Sequence, residues 1–364
     1  MTRVLSTVLI SALALGPAVV SAQTAKPSAA GLSKETRQQL LTALDRASAY
    51  VRAQQKPTGV FEDNLGITGV AATALLKMPK AGRDQASTST TKALDFIKTQ
   101  VKPDGGIYEK AIPHYMTAVS VMALVAGGRA GDQPLVRKGR DYLAEHVLDE
   151  GEGIKPSDKF YGGVGYGGAS DGGKADIISL EYSLQAMKDS GLAANDPVWE
   201  KALKFLQRTQ NASETNDQPW SANDGGFVYY PGFSQAGQTE SYGAGSYAGM
   251  MSYAWANVKK SDQRVQSVFK WVKNHYTLEE NPGLGQKTLY YYYMVFAKGL
   301  SAYGEQVIVD AKGQRHNWRE ELGKKLLSLQ KPEGYWVNTD PAELQTNKVL
   351  VTAFSMQAIE ALLQ

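Results

Sequence analysis

The 364-residue sequence contains no cysteine at all. This absence excludes disulfides, thiolate metal sites and cysteine nucleophiles, so the chain depends on its hydrophobic core for stability. Positive and negative residues are nearly balanced, at 39 Lys and Arg against 36 Asp and Glu, and the two signs are interspersed. Because no basic stripe is present, we expect no nucleic-acid partner. No pattern of metal ligands is evident either, and we expect neither a metal nor a cofactor.

Long apolar runs are also scarce, and the one at the N-terminus has the features of a secretory signal. Arg3 supplies a short basic region, residues 4–20 are mainly apolar, and residues 20–22 read Val-Ser-Ala, a small-residue cleavage site. Polar residues, Gly16 and Pro17 interrupt the run, which disfavours a retained transmembrane helix. We therefore expect secretion or a periplasmic location, with no integral membrane segment after signal removal. The predicted division is a signal peptide at 1–22, a flexible lead-in at 23–32 and one domain at 33–364.

Within that domain, amphipathic segments alternate with segments that are apolar on nearly every side. Residues 36–53 carry apolar residues on one helical face, whereas residues 66–76 are almost all apolar and small. The alternation continues to residue 363 and predicts twelve helices in six hairpins. The two helices of each hairpin are joined at a turn glycine, and the six are Gly59, Gly106, Gly163, Gly226, Gly283 and Gly334.

This spacing of roughly 45–65 residues is typical of helical-pair repeats. Such repeats form either open solenoids or closed rings. Six pairs that alternate amphipathic and apolar helices favour a ring, with the apolar helices inside and no exposed ends to cap. The predicted fold class is therefore all-α, an (α/α)6 toroid or barrel of six helical-hairpin repeats, with an open solenoid as the alternative.

Three longer connections, at residues 150–173, 211–239 and 302–315, interrupt the regular turns. The first two are rich in glycine and aromatic residues, and the third contains a Val-Ile-Val run that predicts a small hairpin. Glycine–aromatic loops at one end of a barrel are typical of a mouth or lid. Tyr166, in the first loop, is therefore a candidate ligand contact.

Two short motifs connect this pattern to a known family. Residues 330–336 read Gln-Lys-Pro-Glu-Gly-Tyr-Trp, and residues 55–61 are a near copy. This Gln-x3-Gly-x-Trp element (the QW motif) resembles the repeat of squalene–hopene cyclases and related terpenoid cyclases. Residues 162–168, 175–187 and 225–227 look like prenyltransferase/squalene-oxidase repeats. The resemblance covers about 33–364 and implies a single toroid of the terpenoid cyclase type.

The motif also has a physical interpretation that does not depend on the family. Gln330, at the end of an outer helix, can reach backbone groups at helix termini that would otherwise lack partners. Gly334 permits a sharp return of the chain, and Trp336 can pack over the joint. These residues are therefore expected to be structural.

The catalytic residues of the family are not carried over with the repeat. The Asp-x-Asp-Asp motif of class II terpenoid cyclases is absent, because the chain has no adjacent Asp-Asp pair. The zinc site of protein prenyltransferase β-subunits requires a cysteine, which is also absent. Whether the chain is an enzyme is therefore left open.

Polar residues near the starts of the apolar helices would line one end of the central cavity. Glu181 lies deeper in an apolar helix, where desolvation should raise its pKa or require a partner. Asp176 is also suited to capping a helix, and His114 to a capping or solvated role. The candidate catalytic residues are Glu181, Asp176 and Glu240, and the candidate substrate-binding residues are His114, Tyr115, Tyr166, Tyr242, Tyr290 and Tyr291.

The tyrosines could stabilise a carbocation or line a site for an apolar chain. Ordinary packing between helix layers is the alternative. Tyr290 to Tyr293 are consecutive on one helix and point in all directions around it, so only one or two of them can face the lumen of the ring.

Three functional hypotheses follow. The first is an exported terpenoid cyclase/prenyltransferase-like toroid that acts on or binds a long apolar, isoprenoid-type ligand, with Glu181 or Asp176 as proton donor or polar anchor. The second is a non-catalytic binding or scaffold toroid that recognises a lipid, a peptide or a protein partner at the glycine–tyrosine loops. The third is a carbohydrate-active enzyme, which needs paired carboxylates across a cleft; Asp176 and Glu240 are the candidates.

Overall fold

A computed structural model describes residues 31–167 and 174–364. The predicted signal peptide at 1–22 and most of the lead-in at 23–32 lie outside these residues, as does Asp171 in the first glycine–aromatic loop. The described ranges contain one short antiparallel hairpin, β1 (Ile308–Val309) and β2 (Arg315–His316), at the position where the sequence predicts it. Besides short 3-10 helices, these ranges contain twelve α-helices: α1 (Lys34–Ala53), α2 (Leu65–Lys77), α3 (Lys80–Thr99), α4 (Pro113–Gly127), α5 (Gln133–Glu145), α6 (Ile177–Asp189), α7 (Pro197–Thr209), α8 (Gly243–Trp255), α9 (Gln263–Asn274), α10 (Leu289–Tyr303), α11 (Trp318–Leu329) and α12 (Lys348–Leu363).

The even-numbered helices form a closed inner ring. Each packs against the next even-numbered helix, from α2 through α12, and α12 packs back against α2. The odd-numbered helices lie outside this ring, and α1 contacts both α3 and α11. The predicted (α/α)6 toroid is confirmed, and the open solenoid is wrong. None of the helices in the described ranges is long and apolar enough to cross a membrane.

The alternation in composition explains which helices are inside. Every residue of α2 from Leu65 to Leu75 is buried, because this helix has neighbours on all sides. On α1, by contrast, the buried residues such as Leu40 and Leu44 form one stripe and the charged residues face outward. Apolar area removed from water contributes about 25 cal/mol per Å², so the inner helices carry most of the hydrophobic stabilisation.

Five glycines press the hairpin turns against the next outer helix. Each has a positive φ, and a Cβ added there would lie 1.8–3.1 Å from a backbone carbonyl oxygen of that helix. At three turns the positive-φ glycine is one residue before the predicted one, because the first glycine of each Gly-Gly pair turns the chain. Gly283, the remaining predicted turn glycine, packs near Ala236 and not against an outer helix. The five are Gly59, Gly105, Gly162, Gly225 and Gly334.

The glutamine of the repeat motif joins neighbouring hairpins by hydrogen bonds. Nε2 of Gln330 donates to the carbonyl oxygens of Gly334 (2.9 Å) and of Ala43 in α1 (2.9 Å). Gln55 and Gln210 make the equivalent pair of bonds at their own turns. Since Gln330 belongs to the last hairpin and Ala43 to the first, this bond helps to close the ring.

Candidate functional site: an aromatic cavity inside the ring

A cavity of about 200 Å³ lies inside the ring, at the end where the inner helices begin. The first two turns of five inner helices supply its walls, and residues of three connecting loops close over it. The helix residues are Tyr115, Ile178, Ser179, Tyr182, Ala244, Tyr291, Leu350 and Phe354, with Ile112, Tyr242 and Thr288 at the helix starts; the loop residues are Tyr166, Tyr229, Gln235, Glu343, Leu344 and Gln345.

Aromatic rings make up a continuous part of the wall. The rings of Tyr115 and Tyr182 meet nearly edge to face, with centroids 5.1 Å apart. Tyr182 in turn lies 6.1 Å from Tyr291, and Tyr291 lies 5.7 Å from Phe354. Contacts of this kind between aromatic side chains are each worth about 0.5–1.5 kcal/mol beyond area burial. These ring contacts link α4, α6, α10 and α12 along the wall.

The hydroxyls of the lining tyrosines differ in their partners: Tyr166 and Tyr229 are hydrogen-bonded to each other, whereas those of Tyr242 and Tyr291 have no hydrogen-bond partner among the described residues. The hydroxyls of Tyr166 and Tyr229 lie 3.0 Å apart and share a hydrogen bond. The hydroxyl of Tyr291 is buried beside Glu181. Burial raises the pKa of Tyr166 to about 12 and that of Tyr242 well above its usual value. At neutral pH the phenols are uncharged, and the cavity presents mainly ring faces.

Cationic side chains are absent from the described residues that line the cavity. None of them is a lysine, an arginine or a histidine, and Glu343 is the only carboxylate among them. Phosphate and carboxylate ligands are normally held by Arg, Lys or several backbone N–H groups. The lining therefore fits an uncharged ligand better than a diphosphate or a uronate.

Asp176 lies directly behind this lining and caps α6. Its Oδ1 accepts hydrogen bonds from the backbone N–H groups of Ile178 (2.9 Å) and Ser179 (2.8 Å), and its Oδ2 accepts from the Ser179 hydroxyl (2.7 Å). Burial raises the pKa of Asp176 to about 6, although the bonds from Ser179 and Ile178 and the nearby Tyr229 hydroxyl act in the opposite direction. The carboxylate is thus a fully engaged helix cap, one residue removed from the cavity wall.

Glu181 is completely buried one turn deeper in α6 and does not line the cavity. Burial raises its pKa, while the positive charge of Lys298 and the approach of the Trp255 and Tyr291 side chains lower it. Neither carboxyl oxygen of Glu181 reaches hydrogen-bond geometry with any described residue.

The other predicted site residues lie elsewhere. His114 is buried between α4 and α5, with its ring centroid 5.6 Å from that of Tyr142 and 5.5 Å from that of His146. Tyr290 packs edge to face against Tyr293, outside the cavity. Glu240 is exposed on the loop before α8 and does not line the cavity. The structure brings together the four other tyrosines around the cavity, with Asp176 behind them: Tyr115, Tyr166, Tyr242 and Tyr291.

Several lining residues were not among the predicted ones. Tyr182 and Phe354 occupy the second turn of α6 and α12, and Tyr229 lies on the loop of residues 211–239. The periodicity of the helices could have predicted them. Ile178 and Tyr182, like Leu350 and Phe354, are four residues apart and therefore share one helix face.

No cluster of three or more His, Cys, Asp or Glu residues suited to a metal ion occurs in the described parts of the chain.

No protein-family model matches the chain, and no curated protein matches its sequence. Solved structures do match. The type II terpene cyclase MstE from Scytonema, in complex with merosterolic acid A, superimposes with a TM-score of 0.59 at 14% identity, over 91% of this chain and 99% of that one. A protein from Actinoplanes gives 0.57 at 16% identity over 89% and 100% of the two chains. The polysaccharide lyase BACCELL_00875 gives 0.56 at 12% identity over 90% and 97%. The chain therefore has the helical toroid fold of type II terpene cyclases, which a polysaccharide lyase shares.

Proposed function

We propose that this chain is an exported toroid whose aromatic cavity binds an uncharged, apolar ligand of the isoprenoid type, or one end of such a ligand. The observation that carries the proposal is the lining, which combines aromatic ring faces with aliphatic side chains and includes no cationic residue. Apolar pockets with a few polar groups are the usual form of small-molecule sites. The complex of MstE with geranylgeranyl dihydroxybenzoate shows that one toroid of this fold accommodates a prenylated ligand.

The cavity volume limits how much of a ligand fits inside. A cavity of about 150 Å³ holds benzene, which corresponds to roughly 25 Å³ for each heavy atom. The 200 Å³ observed here would thus seat about eight heavy atoms, between one and two isoprene units. A longer chain would continue past Tyr166 and Leu344, which are 38% and 55% exposed at the mouth.

The acids around the cavity favour binding over protonation of an alkene. A carboxylic acid with a pKa near 6 is a weak donor for so poor a base, and both oxygens of Asp176 already accept hydrogen bonds. Glu181 is separated from the cavity by the aromatic wall, and its pKa is raised. We therefore propose a binding toroid, and turnover of the ligand would be the observation that favours a cyclase.

A carbohydrate-active enzyme is supported less well, although a polysaccharide lyase shares the fold. The pair that it requires, Asp176 and Glu240, does not face across the cavity, because Asp176 caps a helix behind the wall and Glu240 is exposed outside it. Glycoside hydrolysis needs two carboxyl groups on opposite sides of one bond. The binding test below includes a neutral oligosaccharide for this reason.

The test is native mass spectrometry of the full chain with geraniol, farnesol, geranylgeraniol, geranyl diphosphate and cellotetraose. We expect the three alcohols to bind with 1:1 stoichiometry and the diphosphate to bind more weakly than geraniol. Ile178→Trp should abolish binding by filling the cavity from a partly exposed position. Val309→Trp adds the same side chain to the exposed hairpin and should leave binding unchanged.

Binding of the diphosphate in preference to the alcohol would overturn the argument from charge. Equal binding by the two tryptophan variants would show that the ligand lies outside the cavity. Analysis of the same mixtures by gas chromatography–mass spectrometry detects cyclised products, which would replace the binding proposal by a catalytic one. Export is tested separately, by determining the N-terminal residue of the mature protein, which we expect to be Gln23.

A further inference from the structure

Gln345 lines the aromatic cavity and is 1% exposed. Its backbone is fully engaged, since its N–H donates to the carbonyl oxygen of Ala342 (3.1 Å) and its C=O accepts from the N–H of Asn338 (3.1 Å). Its side-chain Oε1 accepts a hydrogen bond of 3.3 Å from the backbone N–H of Tyr290, in the first turn of α10. The side chain of Gln345 is therefore held at the start of this inner helix.

The amide nitrogen of Gln345 has no hydrogen-bond partner among the described residues. The contact with Tyr290 sets the orientation of the amide, because a backbone N–H needs an acceptor and only Oε1 can be one. Nε2 carries two N–H donors, and burying such donors without partners is costly. Since the side chain is almost completely buried and lines the cavity, a partner for Nε2 has its place inside the cavity.

Gln345 differs in this respect from other polar residues of the lining. The hydroxyl of Ser179 already donates to a carboxylate. The hydroxyl oxygens of Tyr242 and Tyr291 also lack partners among the described residues, but protein atoms enclose them completely, which is not the case for Nε2 of Gln345. Thr288, at the start of α10, accepts one hydrogen bond through Oγ1 and can still donate its hydroxyl proton. Two donors are thus available at the start of one helix.

The backbone around Gln345 is strained. Glu343 and Leu344, which directly precede it, have φ values of +52° and +60°, and Thr288 has +54°. With Ile112, these make four cavity-lining residues among the eight non-glycine residues with a positive φ in the described ranges. Such conformations persist only where the surrounding structure holds them, and they are concentrated at functional sites. The segment places Gln345 inside the protein while Leu344, one residue earlier, is 55% exposed at the mouth.

We propose that Nε2 of Gln345 donates a hydrogen bond to a neutral oxygen atom of the cavity ligand, which is a hydroxyl, ether or carbonyl oxygen. The inference rests on the proposed function and narrows it from an apolar ligand in general to an oxygenated one. The hydroxyl of Thr288 is placed on the same helix start to donate a second bond. The hydrocarbon part of the ligand then lies against Tyr182 and Phe354, in the second turns of their helices. A neutral oxygen fits better than an anion because no described residue of the lining is cationic.

The test compares geranyl methyl ether with the hydrocarbon that has a hydrogen in place of the methoxy group. The ether oxygen accepts a hydrogen bond but cannot donate one, so it reports on a protein donor alone. Headspace gas chromatography over sealed solutions of the full chain measures the free concentration of each compound and hence its Kd. Gln345→Met replaces the amide by an apolar side chain of similar length. Gln357→Met is the matched control, because it removes a buried glutamine of α12 that does not line the cavity.

We expect Gln345→Met to weaken binding of the ether relative to the hydrocarbon by about fivefold, which is the effect of one ordinary hydrogen bond. Gln357→Met should leave the ratio of the two Kd values unchanged. The different hydration of the two compounds cancels, because the same pair is compared in each chain, and a merely structural role of Gln345 would weaken both compounds equally.

A ratio that changes by less than about twofold in Gln345→Met overturns the inference and leaves the proposed function standing. If neither compound binds the parent chain, the proposed function is wrong and this inference with it. The two failures are therefore distinguishable.

Circular dichroism checks that the variants fold. If Gln345→Met does not fold, Gln345→Glu at pH 8 supplies the same test. Its carboxylate keeps an acceptor for the N–H of Tyr290, carries a charge that is favourable at a helix N-terminus and has no proton to donate. This variant should also weaken the ether relative to the hydrocarbon by about fivefold or more, and an unchanged ratio would contradict the proposal.

Discussion

Gly334 is the position where the last hairpin touches the first outer helix, and its replacement by alanine tests how the ring is closed. Its φ is +98°, and an added Cβ would lie 2.6 Å from the carbonyl oxygen of Arg46 and 2.8 Å from the carbonyl carbon. Contacts this short force the turn away from α1. Gly313, in the hairpin loop, has a φ of +79° with nothing within 4 Å of the added atom. It is therefore a matched control that carries the backbone strain alone.

The expected magnitudes follow from these two terms. A non-glycine residue at such a φ costs about 1–2 kcal/mol, which is the whole effect that we expect for Gly313→Ala. Overpacking against Arg46 adds about 1–3 kcal/mol, so Gly334→Ala should cost about 3–4 kcal/mol. With an unfolding entropy of about 2.1 cal/mol/K per residue, a loss of about 0.7 kcal/mol in the free energy of unfolding lowers the Tm of a chain of this length by one degree. The two variants should then differ in Tm by about 3 °C.

Differential scanning calorimetry of the two variants and the parent chain measures this difference. Equal Tm values for Gly334→Ala and Gly313→Ala would refute the argument, because they would show that the contact with Arg46 does not restrict the turn. A loss larger than about 6 kcal/mol would instead indicate that opening one joint unfolds the whole ring.

Two further predictions concern the motif glutamine and the buried helix cap. Gln330→Ala leaves two carbonyl oxygens without its Nε2 and should lower the free energy of unfolding by about 2–3 kcal/mol in urea titrations, whereas Gln100→Ala, which removes only a bond to Thr99, should change it by less than about 0.5 kcal/mol. The pKa of Asp176 is raised from 3.8 to about 6, so the folded chain binds the proton more tightly and stability falls by about 3 kcal/mol as pH rises from about 4 to 6. Asp176→Asn, which keeps a good cap, should remove that fall; an unchanged pH profile would contradict the assigned environment.

The fold was largely predictable because its main signal is local. The contrast between α1, which is apolar on one face, and α2, which is apolar throughout, already distinguishes outer from inner helices. The turn glycines were harder to place. In a pair such as Gly105-Gly106 either residue can adopt a positive φ, and only the contact of Gly105 with α5 decides between them.

The site was less predictable because it depends on which helix face turns inward. Residues 290–293 are four consecutive tyrosines. Their sequence alone does not show that Tyr291 faces the cavity while Tyr290 packs on Tyr293. His114 stands at a helix start like Tyr115, but its ring turns outward against Tyr142. These differences arise from packing between neighbouring helices, which local composition does not encode.

The closed ring has a consequence for how fast the chain can fold. Nε2 of Gln357 in α12 donates to the carbonyl oxygen of Val70 in α2 at 3.2 Å, across 287 positions of sequence. Contacts of such high sequence separation slow folding, since the ordering of intervening chain precedes the stabilising contact. Until α12 is in place, α2 and α10 each lack an apolar neighbour and expose surface that promotes aggregation. The slowest step in forming this molecule should therefore be the docking of its final helix.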